Sequence, residues 1–301
     1  MDFRQLKAFL TVGNLLNFTK AAEQLGYAQS SITAQIQQLE NELGVKLFER
    51  IGKTVKLTYA GTAMIPYATQ ILQLERNLKA DLTDSGVPAG TLTIGAAESL
   101  SIYRLPALLK EYRGLYPQVA LRLKLLGCTE FLPELTAGTI DAAFTIGNRT
   151  ASDSMVEEIS LPEPIDVLVC PGHPLTRKEA VAPEDFENIP LLLTGKGCCY
   201  RGAFLNRLSE KGITPAVTLE TDSIQAIKQA ALSGLGICVL PRVSVAEEVF
   251  QGRLIPLPFD TEDFDIVSQL IYHRDKWLSP ALRAFLQLSH QILPESPCDR
   301  T

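Results

Sequence analysis

The sequence predicts an α/β protein that carries an all-helical N-terminal domain with a two-stranded wing. Three observations predict it. Apolar residues recur at helical spacing three times within residues 1–58, and two short strand-like runs follow the third. One longer helical pattern runs from Tyr59 to about Ser85. From Thr91 onward, strand-like runs alternate with helical ones. A chain of 301 residues exceeds what one compact domain usually holds, so more than one folding unit is expected. With 46% hydrophobic and 21% charged residues, it has material for a core and is not a disordered chain.

The first helix follows from Phe3, Leu6, Phe9, Leu10 and Val12, which fall on one face. Asn17 or Thr19 can cap a second, with Ala21, Ala22 and Leu25 facing inward and Gly26 ending it. Ser30 or Ser31 can cap a third, whose Ile32, Ile36, Leu39 and Leu43 share a narrow arc. Its other face carries Ser30, Ala34, Gln37, Gln38 and Asn41. Two helices joined by a tight turn, the second presenting small and amide side chains, describe a helix-turn-helix. Gln and Asn can donate and accept at an adenine edge in the major groove. The same face also reads as the solvated side of an ordinary helix.

The following residues favour the first reading. Gly44 closes the third helix, and the segment from Val45 to Thr58 reads as two short strands about a turn at Gly52-Lys53. Arg50, Lys53 and Lys56 are then placed to meet phosphates, contacts that position a protein without reading sequence. In the long helix, Ala60, Met64, Tyr67, Ile71, Leu74, Leu78 and Leu82 form a seam at steps of three and four, with Pro66 expected to disturb its first turns. A second chain or the rest of its own chain could cover that seam. DSGVPAG then breaks the pattern. The domains expected are thus 1–58, 59–88 and 89–301.

The rest gives TLTIGAA, VALRLKLL, DAAFTIG, PIDVLVC, IPLLLTG, GICVLP and DIVSQLIY as strands, with helical stretches between them, a parallel α/β pattern.

Net charge is −6, but residues 1–58 hold seven basic groups against five acids, a balance of +2 that leaves −8 for the remainder. A basic reader joined to an acidic second part fits that split. The start has no apolar stretch behind basic residues and no run of about 18 apolar residues occurs, so the chain is expected to stay in the cytoplasm. The cysteines at 128, 170, 198, 199, 238 and 298 show no zinc or CxxC spacing and are expected as free thiols. His173, His273 and His290 are isolated, no G-x-S-x-G occurs, and Gly234 and Gly236 lack the context of a dinucleotide loop. No metal, cofactor or catalytic group is expected.

The run FTKAAEQLGYAQSSITAQIQQLENELGVKLFERIGKTVKLTYAG resembles the signature of LysR-type transcriptional regulators. GTLTIG, the segment from Leu105 to Val119, the segment 135–143, LVCPGHPL and SGLGICVLP resemble the same family, in the same order, over about 1–290. The resemblance implies a sequence-specific DNA-binding transcription regulator. It would have a winged helix-turn-helix, a linker helix that makes homodimers, and an effector domain of two lobes like a periplasmic binding protein. Lobe one would be about 89–162 plus 267–301 and lobe two about 163–266, with crossings near Pro164 and Ile266. It also implies homotetramers on double-stranded DNA, at interrupted palindromes, and a small-molecule effector between the lobes. DNA-contacting positions carry over to Gln29, Ser30, Thr33, Ala34, Gln37, Arg50 and Lys53. Ser30 stands where proline is frequent, Thr33 where serine is usual, and Ala34, Gln37 and Gln38 where arginine often appears. Fewer cations release fewer counterions, so a shallower salt dependence is expected.

The effector site implied by the resemblance is lined by Glu98, Ser99, Leu100, Thr129, Gly195, Cys198, Cys199 and Arg201. Helix N-termini converge there, which suits a small carboxylate or other anion. Ser99 and Thr129 offer hydroxyls to a ligand or simply cap helices. Arg201 can hold a carboxylate in two contacts, or pair with Glu98 or another acid. Glu98 would suit a ligand with a cationic group.

Cys199 stands where the peroxide-sensing branch of the family has its reactive cysteine, and Arg201 and Lys196 nearby would lower its pKa. The second cysteine of that branch is replaced by Leu208. Thiol sensing through Cys199 is therefore one alternative. A solute-binding protein or enzyme on the same two-lobed fold is another, and it leaves residues 1–88 without a purpose.

Overall fold

A computed structural model of the chain describes residues 1–51, 54–82, 88–150 and 152–293, without the side chains at 50, 51, 73, 76, 77 and 79–82. Its backbone divides into two compact units, residues 1–86 with 136–139, and residues 87–135 with 140–301.

In the first unit, α1 (Phe3–Leu15) starts at Asp2, whose carboxylate accepts the Gln5 amide while the Gln5 side chain accepts the Asp2 amide. Satisfying both free amides fixes this start. Asn17 caps α2 (Phe18–Leu25), and Gly26 ends it in the left-handed conformation that favours glycine. The third helix, α3 (Gln29–Leu43), ends likewise at Gly44. Its start differs from the expectation. Ala28 holds the cap position and gives no side-chain bond, so Ser30 and Ser31 lie inside the first turn.

Strands β1 (Phe48–Ile51) and β2 (Thr54–Leu57) pair antiparallel, Phe48 opposite Leu57 and Arg50 opposite Val55. They form the wing. Phe48 packs between Phe9 and Phe18, each ring 5.6 Å away, and ties the wing to the core of Leu6, Val12, Ile32 and Leu39. The long helix α4 (Tyr59–Leu82) runs through Pro66 as one element and packs on α1. Ala68 and Leu72 face that core, and buried Glu75 pairs with Lys7 at 3.4 Å.

The second unit holds two five-stranded sheets. In chain order its elements begin β3 (Gly90–Ala96), α5 (Glu98–Tyr103), α6 (Leu105–Leu115), β4 (Val119–Leu125), α7 (Phe131–Thr136), β5 (Ala142–Gly147) and β6 (Met155–Pro162). The chain then enters β7 (Ile165–Val169), β8 (Pro190–Leu193), α8 (Cys199–Ser209), β9 (Ala216–Glu220), α9 (Ile224–Leu232), β10 (Ile237–Pro241), α10 (Ala246–Phe250) and β11 (Ile255–Pro256). It returns through β12 (Val267–His273) and ends with α11 (Pro280–Ile292). The first sheet has order β4-β3-β5-β12-β6 and the second β11-β7-β10-β8-β9.

All seven strands expected from sequence are present, but the sheets are mixed rather than parallel. β12 runs antiparallel to β5 and β6, and β7 runs antiparallel to β10 and β11. These antiparallel contacts come from the chain crossing between sheets, which a period of apolar residues does not record. β6, β9 and β11 escaped the sequence reading because their exposed or short patterns lack an apolar run.

The two crossings lie side by side, the Glu163 amide donating to the Ile266 carbonyl at 2.9 Å. Glu163 is buried there and accepts from Arg104 Nε at 3.0 Å and Ser268 Oγ at 2.8 Å. A buried ion pair is costly to break on one side, so this group holds both crossings in one geometry.

Candidate functional site

In the first unit, α3 buries Ile32, Ile36 and Leu39 and turns Gln29, Ser30, Ala34 and Gln37 to solvent, with Thr33 half-buried on the same side. Gln29 accepts a bond from Thr19 Oγ1 at 3.1 Å, and the Gln38 side chain accepts from Gln5 Nε2 at 3.4 Å. Gln37 makes no such contact among the described residues and presents its amide outward. The backbone of Arg50 lies in β1, while its side chain and all of Lys53 fall outside the described residues.

In the second unit a cavity of about 630 Å³ opens between the two sheets. From the first sheet, Ala97, Glu98 and Ser99 at the start of α5 and the 127–130 loop after β4 line it. From the second come the 194–198 loop, Tyr200 and the 222–224 turn. A neighbouring cavity of about 550 Å³ shares Cys128, Thr129 and Gly197 and reaches Gly147, Cys199 and Asn206.

The residues expected at the site separate into three groups. Glu98, Ser99, Thr129, Gly195 and Cys198 line the larger cavity, and Cys199 lines the smaller one. Leu100 does not; it is fully buried in the core of its own lobe. Arg201 does not either. Its guanidinium donates to the Thr194 carbonyl and to the Glu220 carboxylate, the latter at 2.8 Å, and it lines neither cavity. Of the pairings open to it, the structure thus makes one with an acid of its own lobe. Its work is to hold the 194–198 loop against β9, rather than to meet an incoming carboxylate.

Glu98 spans the cavity. Its carboxylate accepts from the Ile224 amide at 2.6 Å and from Ser223 Oγ at 3.2 Å, so an acid on the first lobe sits at the N-terminus of α9 on the second. Amides at a helix start carry partial positive charge, which favours an anion at that place. Beside it, Tyr103 accepts from Lys228 Nζ at 2.7 Å and from Gln225. Burial would lower the Lys228 pKa, but the Tyr103 hydroxyl and Glu248 raise it above its ordinary value, so its charge is kept inside the interface.

Ser99 is fully buried against the cavity, and its hydroxyl has no hydrogen-bond partner among the described residues. It caps no helix, since Ala97 takes that position for α5. Gly195 is required by a close approach: a side chain there would run into the Asp222 carboxylate. Asp222, Ser223 and Ile224 were missed by sequence reasoning because β9, which delivers them, was not recognised. The usable signal was Ser223, whose hydroxyl accepts the Ala226 amide and caps α9.

Three thiols meet where the cavities join. Cys128 Sγ and Cys199 Sγ both approach the Ile146 carbonyl, at 3.8 and 3.4 Å, and Cys128 and Cys198 both line the larger cavity. The Cys128 and Cys199 thiols lower the pKa of Cys198 against the cost of its burial, with the Thr194 hydroxyl and the Arg201 amide adding to the effect. The same contact with Cys198 raises Cys128. Cys199 is raised as well: the Cys128 thiol lowers it, but Cys198 and burial outweigh that.

Known proteins place this arrangement. A profile described as a bacterial regulatory helix-turn-helix protein of the lysR family matches residues 3–62, and one described as the LysR substrate binding domain matches residues 85–293. The HTH-type transcriptional regulator YwqM of Bacillus subtilis (strain 168) is 39% identical over 292 residues, covering 97% of this chain and 99% of its own. GltR of the same organism is 32% identical over 286 residues, covering 95% of each. Among solved structures, a full-length OxyR variant from Pseudomonas aeruginosa superposes with a TM-score of 0.74 at 24% identity, covering 99% of this chain and 96% of that one. CbnR in complex with its target DNA gives a TM-score of 0.67 at 24% identity, covering 97% and 99%. These two share the fold.

Proposed function

The chain belongs to the LysR family of DNA-binding transcription regulators, and from that premise we propose that a small carboxylate entering the cavity between its lobes controls how it holds DNA. The family is not enzymatic; its members bind DNA and small effectors and form oligomers. This excludes a free-standing solute-binding protein or an enzyme on the same fold. Among the described residues no helix is long and apolar enough to cross a membrane. On this proposal the chain works in the cytoplasm, as homodimers through α4 that pair into tetramers on interrupted palindromes. Gln29, Ser30, Thr33, Ala34 and Gln37 face the major groove, and Arg50 and Lys53 meet phosphates. The working division is 1–58 for DNA, 59–88 for dimerisation and 89–301 for the effector.

One observation carries the choice of effector. The cavity already binds a carboxylate, that of Glu98, on the amide and hydroxyl that open α9. An incoming carboxylate of the same chemistry competes for those donors and releases the link between lobes. The buried Ser99 hydroxyl, unpartnered among the described residues, then gains a hydrogen bond, and leaving such a group unpaired costs roughly 1–3 kcal/mol. Thr129 and Lys196 also line the cavity and bring a hydroxyl and a cation to it. Ligand binding shifts the lobe angle only by its differential affinity for the two arrangements. Competition with Glu98 provides that difference.

A thermal-shift screen of the full chain against mono- and dicarboxylic acids tests this. A binding acid at a hundredfold excess over its Kd stabilises the second unit by about 2.7 kcal/mol. Ser99→Ala removes most of the shift. Glu98→Gln, a weaker internal competitor, binds the same acid about tenfold more tightly, roughly 1.4 kcal/mol. An acid that binds equally well to wild type, Ser99→Ala and Glu98→Gln is bound elsewhere, and the reading is wrong.

A further inference from the structure

We infer that the effector is a monocarboxylate with an uncharged, largely apolar body, whose carboxylate takes the place of Glu98 in the larger cavity while the body lies in the smaller one. This rests on the carboxylate reading above and adds the second cavity to it, as the site that selects the rest of the molecule.

The two cavities have a common boundary of Cys128, Thr129 and Ile146 from the first lobe and Gly197 from the second. Gly197 stands in the left-handed region at φ 99°, and the Thr129 methyl lies 3.6 Å from where a side chain on it would begin. A bare backbone and one methyl group thus face each other at this boundary, and a single ligand can extend past it. At about 630 and 550 Å³, each cavity has the size of a small-molecule site, more than a carboxylate alone fills.

Their linings differ in chemistry. The larger offers the α9 amide and hydroxyl that hold Glu98, the buried Ser99 hydroxyl, and Lys196. The smaller is lined by Phe131, Leu132, Phe264 and Ile271, with Thr145 and Asn206 supplying a hydroxyl and a side-chain amide. Among the described residues no Lys, Arg or His lines it, and its one acid, Asp263, is paired with Arg207. A second ligand charge would be desolvated there without a partner, whereas apolar groups gain from leaving water.

Gly202 points the same way. It lies inside α8, where glycine costs stability relative to alanine. Its backbone is not in the left-handed region, and beyond its adjacent residues and helix backbone no described atom lies within 4 Å of where a side chain would begin. Neither conformation nor close approach calls for glycine. What its missing side chain does is leave the smaller cavity, which it lines, unfilled.

The test is titration calorimetry of the full chain with unbranched monocarboxylic acids of increasing length, from acetic to octanoic. Affinity should rise about fourfold for each methylene that enters the smaller cavity. Octanedioic acid, with a second carboxylate at the far end, should lose that gain. Gly202→Leu places a side chain in the cavity and should abolish the gain while leaving acetic and propionic acids unchanged; Gly202→Ala should keep most of it. Ser99→Ala should weaken acids of every length alike. Wild-type affinity that does not grow with length, while Ser99→Ala still weakens binding, overturns the two-cavity proposal and leaves the carboxylate reading standing. A gain that survives in Gly202→Leu overturns it as well. A gain blocked by Gly202→Leu yet indifferent to Ser99→Ala and Glu98→Gln defeats the carboxylate reading instead, and no binding by any acid defeats both. The wild-type series needs no variant, so a folding defect in a variant does not obscure the answer.

Discussion

Glu40 lies near the end of α3, and its buried carboxylate accepts the amides of Leu47 and Phe48 at 2.9 and 3.2 Å and the ammonium of Lys46 at 2.6 Å. It thereby anchors the wing to the helix proposed to face DNA. Burial raises its pKa, but Lys46 and the two amides together outweigh that and hold it below the ordinary 4.5. A folded-state pKa that is lowered contributes stability above the unfolded value and loses it as pH falls through the folded one. Glu40→Gln should therefore cost about 1–3 kcal/mol at neutral pH, with the difference from wild type shrinking below pH 4.5. Hydrogen exchange at the Leu47 and Phe48 amides reads this locally; unchanged protection would refute it. Such contacts were not legible in the sequence, because Glu40 reads there as one more helix-surface acid. Arg201 shows the same limit. Its charge suggested a ligand contact, but only the fold reveals Glu220 at the position that consumes it.

At the scale of elements, periodicity carried much further. The helices α1 to α4 of the first unit and seven strands of the second follow from apolar spacing and, for α2 and α3, glycine stops, since burial imposes those patterns directly. What spacing could not give was strand direction or a strand with little apolar content, as β6 and β9 illustrate. On α3, Gln37→Ala should lose about 1–3 kcal/mol of affinity at one base pair and little elsewhere. Lys53→Ala should weaken binding to all sequences alike and lower the salt slope by about one. A Gln37→Ala protein whose loss is uniform across sequences would place that face away from the bases. On α4 the expected seam divides. Ala60, Met64 and Ile71 pack partly on their own core, whereas Tyr67, Leu74 and Leu78 are 67%, 60% and 59% exposed in the single chain. Burying one leucine contributes roughly 1.5–3 kcal/mol. Leu74→Asp with Leu78→Asp should raise the dimer dissociation constant by well over tenfold in sedimentation; an unchanged dimer would move the interface off this helix.

For the whole molecule, the sequence distinguished a weakly basic first part from an acidic remainder, and the fold shows what ties the two lobes of that remainder together. Its lobes meet at two adjacent chain crossings fixed by Arg104, Glu163 and Ser268, and across the cavity by Glu98 with α9 and Tyr103 with Lys228. These links join residues more than fifty positions apart, so no local pattern announces them. A carboxylate that displaces Glu98 is proposed to alter the grip on DNA. The most direct test is a footprint of the full chain on its operator, with and without an acid already shown to bind. The footprint and the DNA bend should change with the acid in wild type and stay fixed in Ser99→Ala. An acid that binds the cavity at saturation yet leaves both unchanged would contradict it.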